Sequence, residues 1–224
     1  MNAETPSPYP VNFEVEPQLT NRNRLTVAFR LILAIPHLLL VGGPSGIGSL
    51  GLLFLVFNGD NSSNNYGGGS SAGIIGIVIG IIVFISWFIV VFTAKMPRGL
   101  WDFVNFYMKW RANSIAYVAM LRDEYPPFGT GEYPVRFSAG EYPEQRSRLT
   151  VFFRLFLLIP HGIVLFFLGI AWWLTAIISW FAILFTGSYP ESLYRFAVGY
   201  LRWSIRVEAY GFLMRDEYPP FSLD

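Results

Sequence analysis

A stretch of fourteen residues occurs twice in this chain, as RLTVAFRLILAIPH at 24–37 and as RLTVFFRLFLLIPH at 148–161. Eleven of the fourteen positions are identical, at a constant offset of 124 residues. Shared apolar character alone does not produce so many identities, so the two halves descend from one duplicated unit. The heptapeptide RDEYPPF also closes both halves, at 122–128 and 215–221. Any fold must therefore accommodate two copies of one unit.

The composition is that of a membrane protein. The 224 residues are 53% hydrophobic and only 14% charged, with a mean hydropathy of +0.43, whereas soluble domains are about one quarter charged. Cysteine is absent, which excludes disulfides, thiolate catalysis and cysteine metal sites. The first ten residues lack the basic and apolar regions of a cleaved signal peptide, so we expect internal apolar segments to drive membrane insertion.

Two apolar segments in the first half, 25–41 and 72–93, flank a stretch rich in Gly, Ser and Asn at 42–72. A helix needs about 20 apolar residues to cross roughly 30 Å of hydrocarbon. The first half therefore predicts a transmembrane helical hairpin over about 25–93, with 42–72 as a flexible outer loop.

The second half has no such insertion, and 149–186 is nearly continuous apolar sequence. As one helix it would be about 57 Å long, almost two bilayer thicknesses. By analogy with the first half, we predict a turn near 169–173 that divides it into two short spans. A single long helix is the alternative. The chain then divides into a first repeat, 1–130, and a second repeat, 131–224.

All sixteen Lys and Arg residues lie outside 42–72 and 162–187. The positive-inside rule therefore places both hairpin tips away from the cytoplasm and both termini in it. Since the two units enter with the same orientation, a pseudo-two-fold axis along the membrane normal should relate them. The predicted fold is an all-α protein with four transmembrane helices in the inner (plasma) membrane.

After each hairpin the pattern predicts an amphipathic helix, over 97–121 and 190–214. Basic residues at steps of seven and four trace one face of the second helix, and the rest of its circumference is apolar or aromatic. Such helices should lie at the membrane surface with that face toward water, lipid phosphates or a partner protein. The basic residues of the two helices are Lys109, Arg195, Arg202 and Arg206.

Each half also begins with a short segment of period-two alternation, seen as Val11, Phe13 and Val15 in the first repeat and within 133–137 in the second. Alternation of this kind predicts short strands on the cytoplasmic side. The two strands could pair with each other.

His37 and His161 are the only histidines, and they occupy equivalent places after a proline in the first apolar segment of each repeat. The simplest interpretation is a hydrogen bond to a carbonyl freed by the proline kink. Two alternatives remain open. Histidines facing each other across the pseudo-two-fold could relay protons or ions, or could ligate haem iron or a chlorin metal.

Arg30 and Arg154 lie near the start of the same segments. An arginine there can anchor the helix by extending its head group to the interface, or can bind a lipid phosphate or the carboxylate of a partner. We therefore include both among the candidate lipid or partner contacts.

The motifs together resemble the domain of unknown function 4389 (DUF4389): Tyr-Pro-Val, the repeated fourteen residues, Trp-Phe-x-x-x-Phe-Thr and the closing Asp-Glu-Tyr-Pro-Pro-Phe. The resemblance covers 131–221 throughout, and 9–41 and 86–128 in the first repeat. It implies a bacterial membrane protein. It implies no activity, substrate or mechanism.

The sequence favours a non-enzymatic membrane scaffold or accessory subunit whose partners are lipids and other membrane proteins or its own copies. It contains no pattern typical of a nucleophile with its base, a phosphate-binding glycine loop, a metal cluster or a nucleic-acid surface. A small transporter, channel or lipid-handling protein that uses the level of His37 and His161 is the alternative, and haem or pigment binding is less favoured. We expect no cofactor.

Overall fold

The computed structural model describes residues 9–43 and 73–224, so most of the predicted outer loop lies outside the described residues. The described parts contain two strands and six helices. In chain order these are β1 Asn12–Val15, α1 Arg24–Ala28, α2 Arg30–Val41, α3 Gly73–Thr93, α4 Arg98–Val118, β2 Val135–Ser138, α5 Arg148–Thr186 and α6 Glu191–Gly211.

Two helices, α3 and α5, are long and apolar enough to cross a membrane. Their most apolar windows have mean hydropathies of 3.1 and 2.3, and only 28% of each window is buried. The core helix of a soluble domain would be mostly buried, so these helices are better suited to lipid. The prediction of a mainly helical protein is confirmed, and the described residues contain two candidate membrane spans in place of the four predicted.

The predicted turn near 169–173 is wrong, because α5 is one continuous helix of 39 residues. No proline or polar run interrupts this region. The residues that suggested a turn instead pack against α6. A Cβ on Gly169 would lie 3.0 Å from the hydroxyl of Tyr200, and the Tyr200 ring stacks on Trp172 with centroids 5.4 Å apart. Gly169 allows the close approach of Tyr200 from α6, and Trp172 provides the surface on which the Tyr200 ring stacks.

In the first repeat the equivalent helix is broken. α2 ends at Val41, its C-cap Gly42 has a φ of +79°, and α3 begins at Gly73. A Cβ on Gly73 would lie 2.5 Å from the backbone nitrogen of Gly42, so the two helix ends are in direct contact. Together α1, α2 and α3 form a first long path that corresponds to α5. The insertion enters this path at the position that Leu165 and Phe166 occupy in α5.

The first long path and α5 run antiparallel, with the start of each beside the end of the other. The indole N–H of Trp87 donates to the carbonyl of Val151 at 2.9 Å, and that of Trp180 donates to the carbonyl of Val27 at 3.1 Å. Two backbone hydrogen bonds of 3.0 Å repeat this exchange. The N–H of Arg146 donates to the carbonyl of Ala94, and the N–H of Arg22 donates to the carbonyl of Gly187. A pseudo-two-fold axis therefore relates the two repeats.

The strands confirm the predicted pairing and locate this axis. β1 and β2 form an antiparallel ladder in which Phe13 faces Phe137, its equivalent in the other repeat. The axis must pass between these two residues. The Nε–H of Arg202 on α6 donates to the carbonyl of Phe13 at 3.1 Å, so a strand of the first repeat packs on a helix of the second. The repeats are intertwined.

The helices predicted over 97–121 and 190–214 are present as α4 and α6, but most side chains of both are buried inside the protein and not at a surface. Between Tyr194 and Tyr210 most side chains of α6 are buried inside the protein. Its aromatic residues contact α5 rather than lipid, because α5 offers them an apolar surface along its length. Most large exposed apolar side chains lie on α1, α2, α3 and α5 instead.

Candidate functional site

A cluster of charges binds the closing motif of the first repeat to the start of its long path. Both carboxylate oxygens of Asp123 accept hydrogen bonds from Arg22, at 2.6 and 3.0 Å, and one also accepts from Arg30 at 2.6 Å. The backbone N–H of Asn23, the residue that caps α1, donates to the same carboxylate at 2.8 Å. Both arginines are buried. One aspartate therefore balances two internal cations.

The second repeat builds the same cluster from equivalent residues. Asp216 accepts hydrogen bonds of 2.6 Å from both Arg146 and Arg154, and one of 2.8 Å from the backbone N–H of Ser147. Ser147 caps α5 as Asn23 caps α1. This near-identity indicates that the cluster belongs to the duplicated unit.

The arginines oppose the ordinary effect of burial on the aspartates. Burial acts to raise the pKa of the Asp123 carboxyl, but hydrogen bonds from Arg22 and Asn23 and the charge of Arg30 bring this pKa below its usual value. The pKa of Asp216 is lowered in the same way by Arg146 and by its other donors, against the effect of burial. Both carboxylates are therefore ionised at neutral pH.

The protein itself binds the head groups of Arg30 and Arg154, so these contacts give no support to the predicted role in lipid or partner contact. Arg30 also donates to the carbonyl of Tyr117 at 2.8 Å, and its guanidinium lies 4.6 Å from the centre of that ring. Arg154 donates to the carbonyl of Tyr210 at 2.6 Å, with a ring distance of 4.4 Å. Arg30 is 2% exposed and Arg154 is 1% exposed, so the protein encloses both side chains.

Each histidine is enclosed by aromatic side chains of its own repeat. The indole N–H of Trp110 donates to Nδ1 of His37 at 3.0 Å, and the Phe128 ring stacks on the imidazole with centroids 4.4 Å apart. The corresponding contacts of His161, at 3.1 and 4.0 Å, come from Trp203 and Phe221. These phenylalanines belong to the closing motif, so each histidine helps to hold that motif against the first part of its long path.

The indole bond also fixes which histidine nitrogen carries the proton. An indole N–H can only donate, so Nδ1 of His37 must accept, and the proton of the neutral ring resides on Nε2. A protonated nitrogen cannot ligate a metal, and a proton on Nδ1 would face the N–H of Trp110. The geometry thus favours a structural role, with a tryptophan rather than a kink carbonyl as partner. Metal ligation and proton relay stay sequence-based predictions without support from these contacts.

A single buried ion pair crosses between α4 and α6. Arg111 donates from Nε to both oxygens of Glu208 at 2.9 and 3.0 Å, and also donates to the carbonyls of Val41 and Gly43 at 2.6 and 3.0 Å. The Tyr107 hydroxyl donates to Val41 at 3.1 Å. Burial acts to lower the pKa of Arg111, but the Glu208 carboxylate raises it above its usual value. These groups cap the broken end of α2.

The other predicted contact residues divide by exposure. Lys109 and Arg195 are exposed and remain candidates for lipid or partner contact. Arg206 is buried and donates to the carbonyl of Val11, while Arg202 is half-buried against β1, so the structure does not support lipid contact for Arg206.

Arg195 and Arg202 line a cavity of about 800 Å³ whose wall carries acidic and basic groups of both repeats. Among the described residues, no group of three or more His, Asp or Glu could hold a metal.

Sequence reasoning missed the carboxylates at the centre of each cluster and the partners Arg22 and Arg146. A signal was available. RDEYPPF is identical in both repeats, and Arg22 and Arg146 each lie eight residues before an arginine of the duplicated stretch. Identity between two diverged copies indicates positions that a shared contact restrains.

Two segments of the chain, 71–130 and 148–222, match the family model of the domain of unknown function DUF4389. The chain belongs to the DUF4389 family. No curated protein and no solved structure matches it. The two DUF4389 segments are consistent with a tandem repeat, and each contains one closing motif with its aspartate. The family places no activity on these residues.

Proposed function

We propose that this DUF4389 chain is an integral membrane scaffold or accessory subunit without enzymatic activity. The observation that carries the proposal is the separation of polar groups inside the protein from apolar groups on the surface of the long helices. The charged and polar groups near the long helices are bound inside the protein, while the exposed surface of these helices is apolar. Such a molecule offers lipid or another apolar protein a surface and offers a substrate little reactive chemistry.

The proposal places the protein in the inner (plasma) membrane with both termini on the cytoplasmic side. Its partners there are lipids and either other membrane proteins or further copies of itself. The exposed residues Lys109 and Arg195 provide charged contacts for lipid headgroups or partner proteins. A transporter or channel at the level of the histidines has weaker support, because the rings are packed between aromatic side chains and their Nδ1 atoms are occupied.

The test is gentle purification from native membranes in nanodiscs, with mass spectrometry and an absorption spectrum of the same fraction. We expect stoichiometric membrane-protein partners or a defined homo-oligomer, and a colourless spectrum. A monomeric protein that carries a tetrapyrrole or a stoichiometric solute would contradict the proposal and would direct attention back to His37 and His161.

A further inference from the structure

The long helices share an exposed apolar surface that reaches both ends of the described body. Leu149 at the start of α5 is 73% exposed and Phe185 at its end is 76% exposed. Given the membrane location proposed above, we propose that α5 lies within one leaflet of the bilayer, with both of its ends on the same aqueous side. The pseudo-two-fold axis then runs along the membrane normal.

Helix length gives the first argument. At 1.5 Å per residue, the 39 residues of α5 extend over about 58 Å. The hydrocarbon core of a bilayer is about 30 Å thick. A crossing along the normal would leave roughly half of α5 outside the hydrocarbon, yet exposed apolar side chains continue from Leu149 to Phe185. A helix that lies along the membrane keeps this whole surface in contact with lipid.

The charges at the two ends give the second argument. Arg24, exposed beside Gly187, marks one end of the body, and Arg148 with Lys95 marks the other. Because the repeats run antiparallel, a crossing would place equivalent basic groups on both sides of the membrane. The positive-inside rule would then select no orientation. With both ends on one side, all of these cations face the headgroups of a single leaflet.

The strand ladder gives the third argument. The axis passes between Phe13 and Phe137, and the next pair along the ladder is Glu14 with Arg136, both exposed. If the long helices crossed the membrane, the axis would lie in the membrane plane. The ladder would then sit at mid-depth with two charged side chains in hydrocarbon, which is strongly unfavourable. With the axis along the normal, the ladder faces water.

The experiment uses the natural absence of cysteine. Gly99→Cys and Ser192→Cys introduce single thiols at equivalent exposed positions, in the first turns of α4 and α6 at opposite ends of the body. A Cβ on Gly99 meets no atom within 4 Å, so the change there is tolerated sterically. Glu14→Cys reports on the ladder, and the cysteine-free parent is the background control.

A membrane-impermeant maleimide is applied to right-side-out and inverted vesicles, and then after detergent solubilisation to show that each thiol is reactive. We expect all three thiols to react from the same side. Reaction of Gly99→Cys and Ser192→Cys from opposite sides would overturn the inference, as would thiols that react only in detergent. Absence of the protein from carbonate-washed membranes would instead defeat the proposed membrane location, so the two failures are distinguishable.

Discussion

In the second repeat, α5 continues without a break through Leu165 and Phe166, whereas the equivalent helix of the first repeat stops at Val41 and resumes at Gly73. Elsewhere the two copies agree closely in their arginine–aspartate clusters, histidine contacts and helix ends. The difference shows that a break in the helix requires new hydrogen-bond donors for its last carbonyl groups. The last carbonyls of α2 lose their helical donors, and Arg111 and Tyr107 of α4 supply replacements.

This capping brings in a buried ion pair that has no counterpart at the equivalent positions, with Arg111 from the first repeat and Glu208 from the second. The positions equivalent to Arg111 and Glu208 in the other repeat are Ser204 and Ile115, which carry no charge. The ion pair is therefore an addition beside the broken helix rather than a part of the duplicated unit. The clusters around Asp123 and Asp216 occur twice and are part of that unit.

The largest expected effect comes from the shared clusters. Replacing Asp123 or Asp216 by Asn leaves two buried arginines without their carboxylate, which should cost about 3–5 kcal/mol in the free energy of unfolding. The two variants should be destabilised equally, as measured by SDS titration in mixed micelles. Glu124→Gln is the control, since Glu124 pairs with Arg122 at the surface and should change little. A loss of stability in only one of the two aspartate variants would show that the two clusters do not contribute equally to the free energy of unfolding.

The ion pair between Arg111 and Glu208 should contribute less to the free energy of unfolding than either arginine–aspartate cluster. Arg111→Ser introduces the residue of the other repeat and leaves Glu208 buried and unpaired, so we expect a loss of about 3 kcal/mol. Glu208→Ile should also destabilise the protein. The double variant should recover part of the sum, because neither charge then remains alone. Strictly additive losses in the same unfolding assay would mean that the two residues are not coupled.

Removing 42–72 would make the first repeat resemble the second. Joining Val41 to Gly73 should let α2 and α3 continue as one helix, with unchanged or slightly higher helicity by circular dichroism. The Arg111→Ser cost should then fall by about 1 kcal/mol, because the carbonyl of Val41 regains a helical donor while Glu208 is still left unpaired. An unchanged cost would show that Arg111 stabilises the core by the ion pair alone.

Acid should weaken both clusters together. The folded pKa of Asp123 and of Asp216 is lowered relative to the unfolded chain, so their stabilisation is complete above the unfolded pKa of about 4. It is lost as pH falls through the folded values. We expect stability to be flat from pH 5 to 7 and to decline below pH 4. Asp123→Asn should reduce the size of this decline, and an undiminished decline would place its cause elsewhere.

The smallest expected loss of stability comes from the indole hydrogen bonds that the two repeats exchange. Trp87→Phe and Trp180→Phe each remove one indole hydrogen bond to the other repeat, worth about 1 kcal/mol. The losses should be similar. Trp173→Phe, at an exposed position, is the control and should have little effect.

The sequence predicted the helical class, two short strands and two amphipathic helices, because each depends on a pattern within a short window, and it revealed the duplication through the direct match of 24–37 with 148–161. It failed at the turn near 169–173, since Gly169 there serves the close approach of Tyr200 and a glycine alone does not distinguish these uses. It also did not predict the internal carboxylate partners of Arg30 and Arg154. Their partners, Asp123 and Asp216, lie 93 and 62 residues away in the chain, and no local pattern joins them.

The continuity of α5 is the central claim and can be measured directly. Nitroxide labels on the exposed positions of Leu149→Cys and Phe185→Cys, in a chain without other cysteines, report the distance between the ends of the helix by pulsed electron paramagnetic resonance. One helix places these positions about 54 Å apart at 1.5 Å per residue. A distribution centred at about 54 Å is the predicted result. A distribution below about 25 Å would mean that the segment folds back as a hairpin of two short spans and would contradict this account.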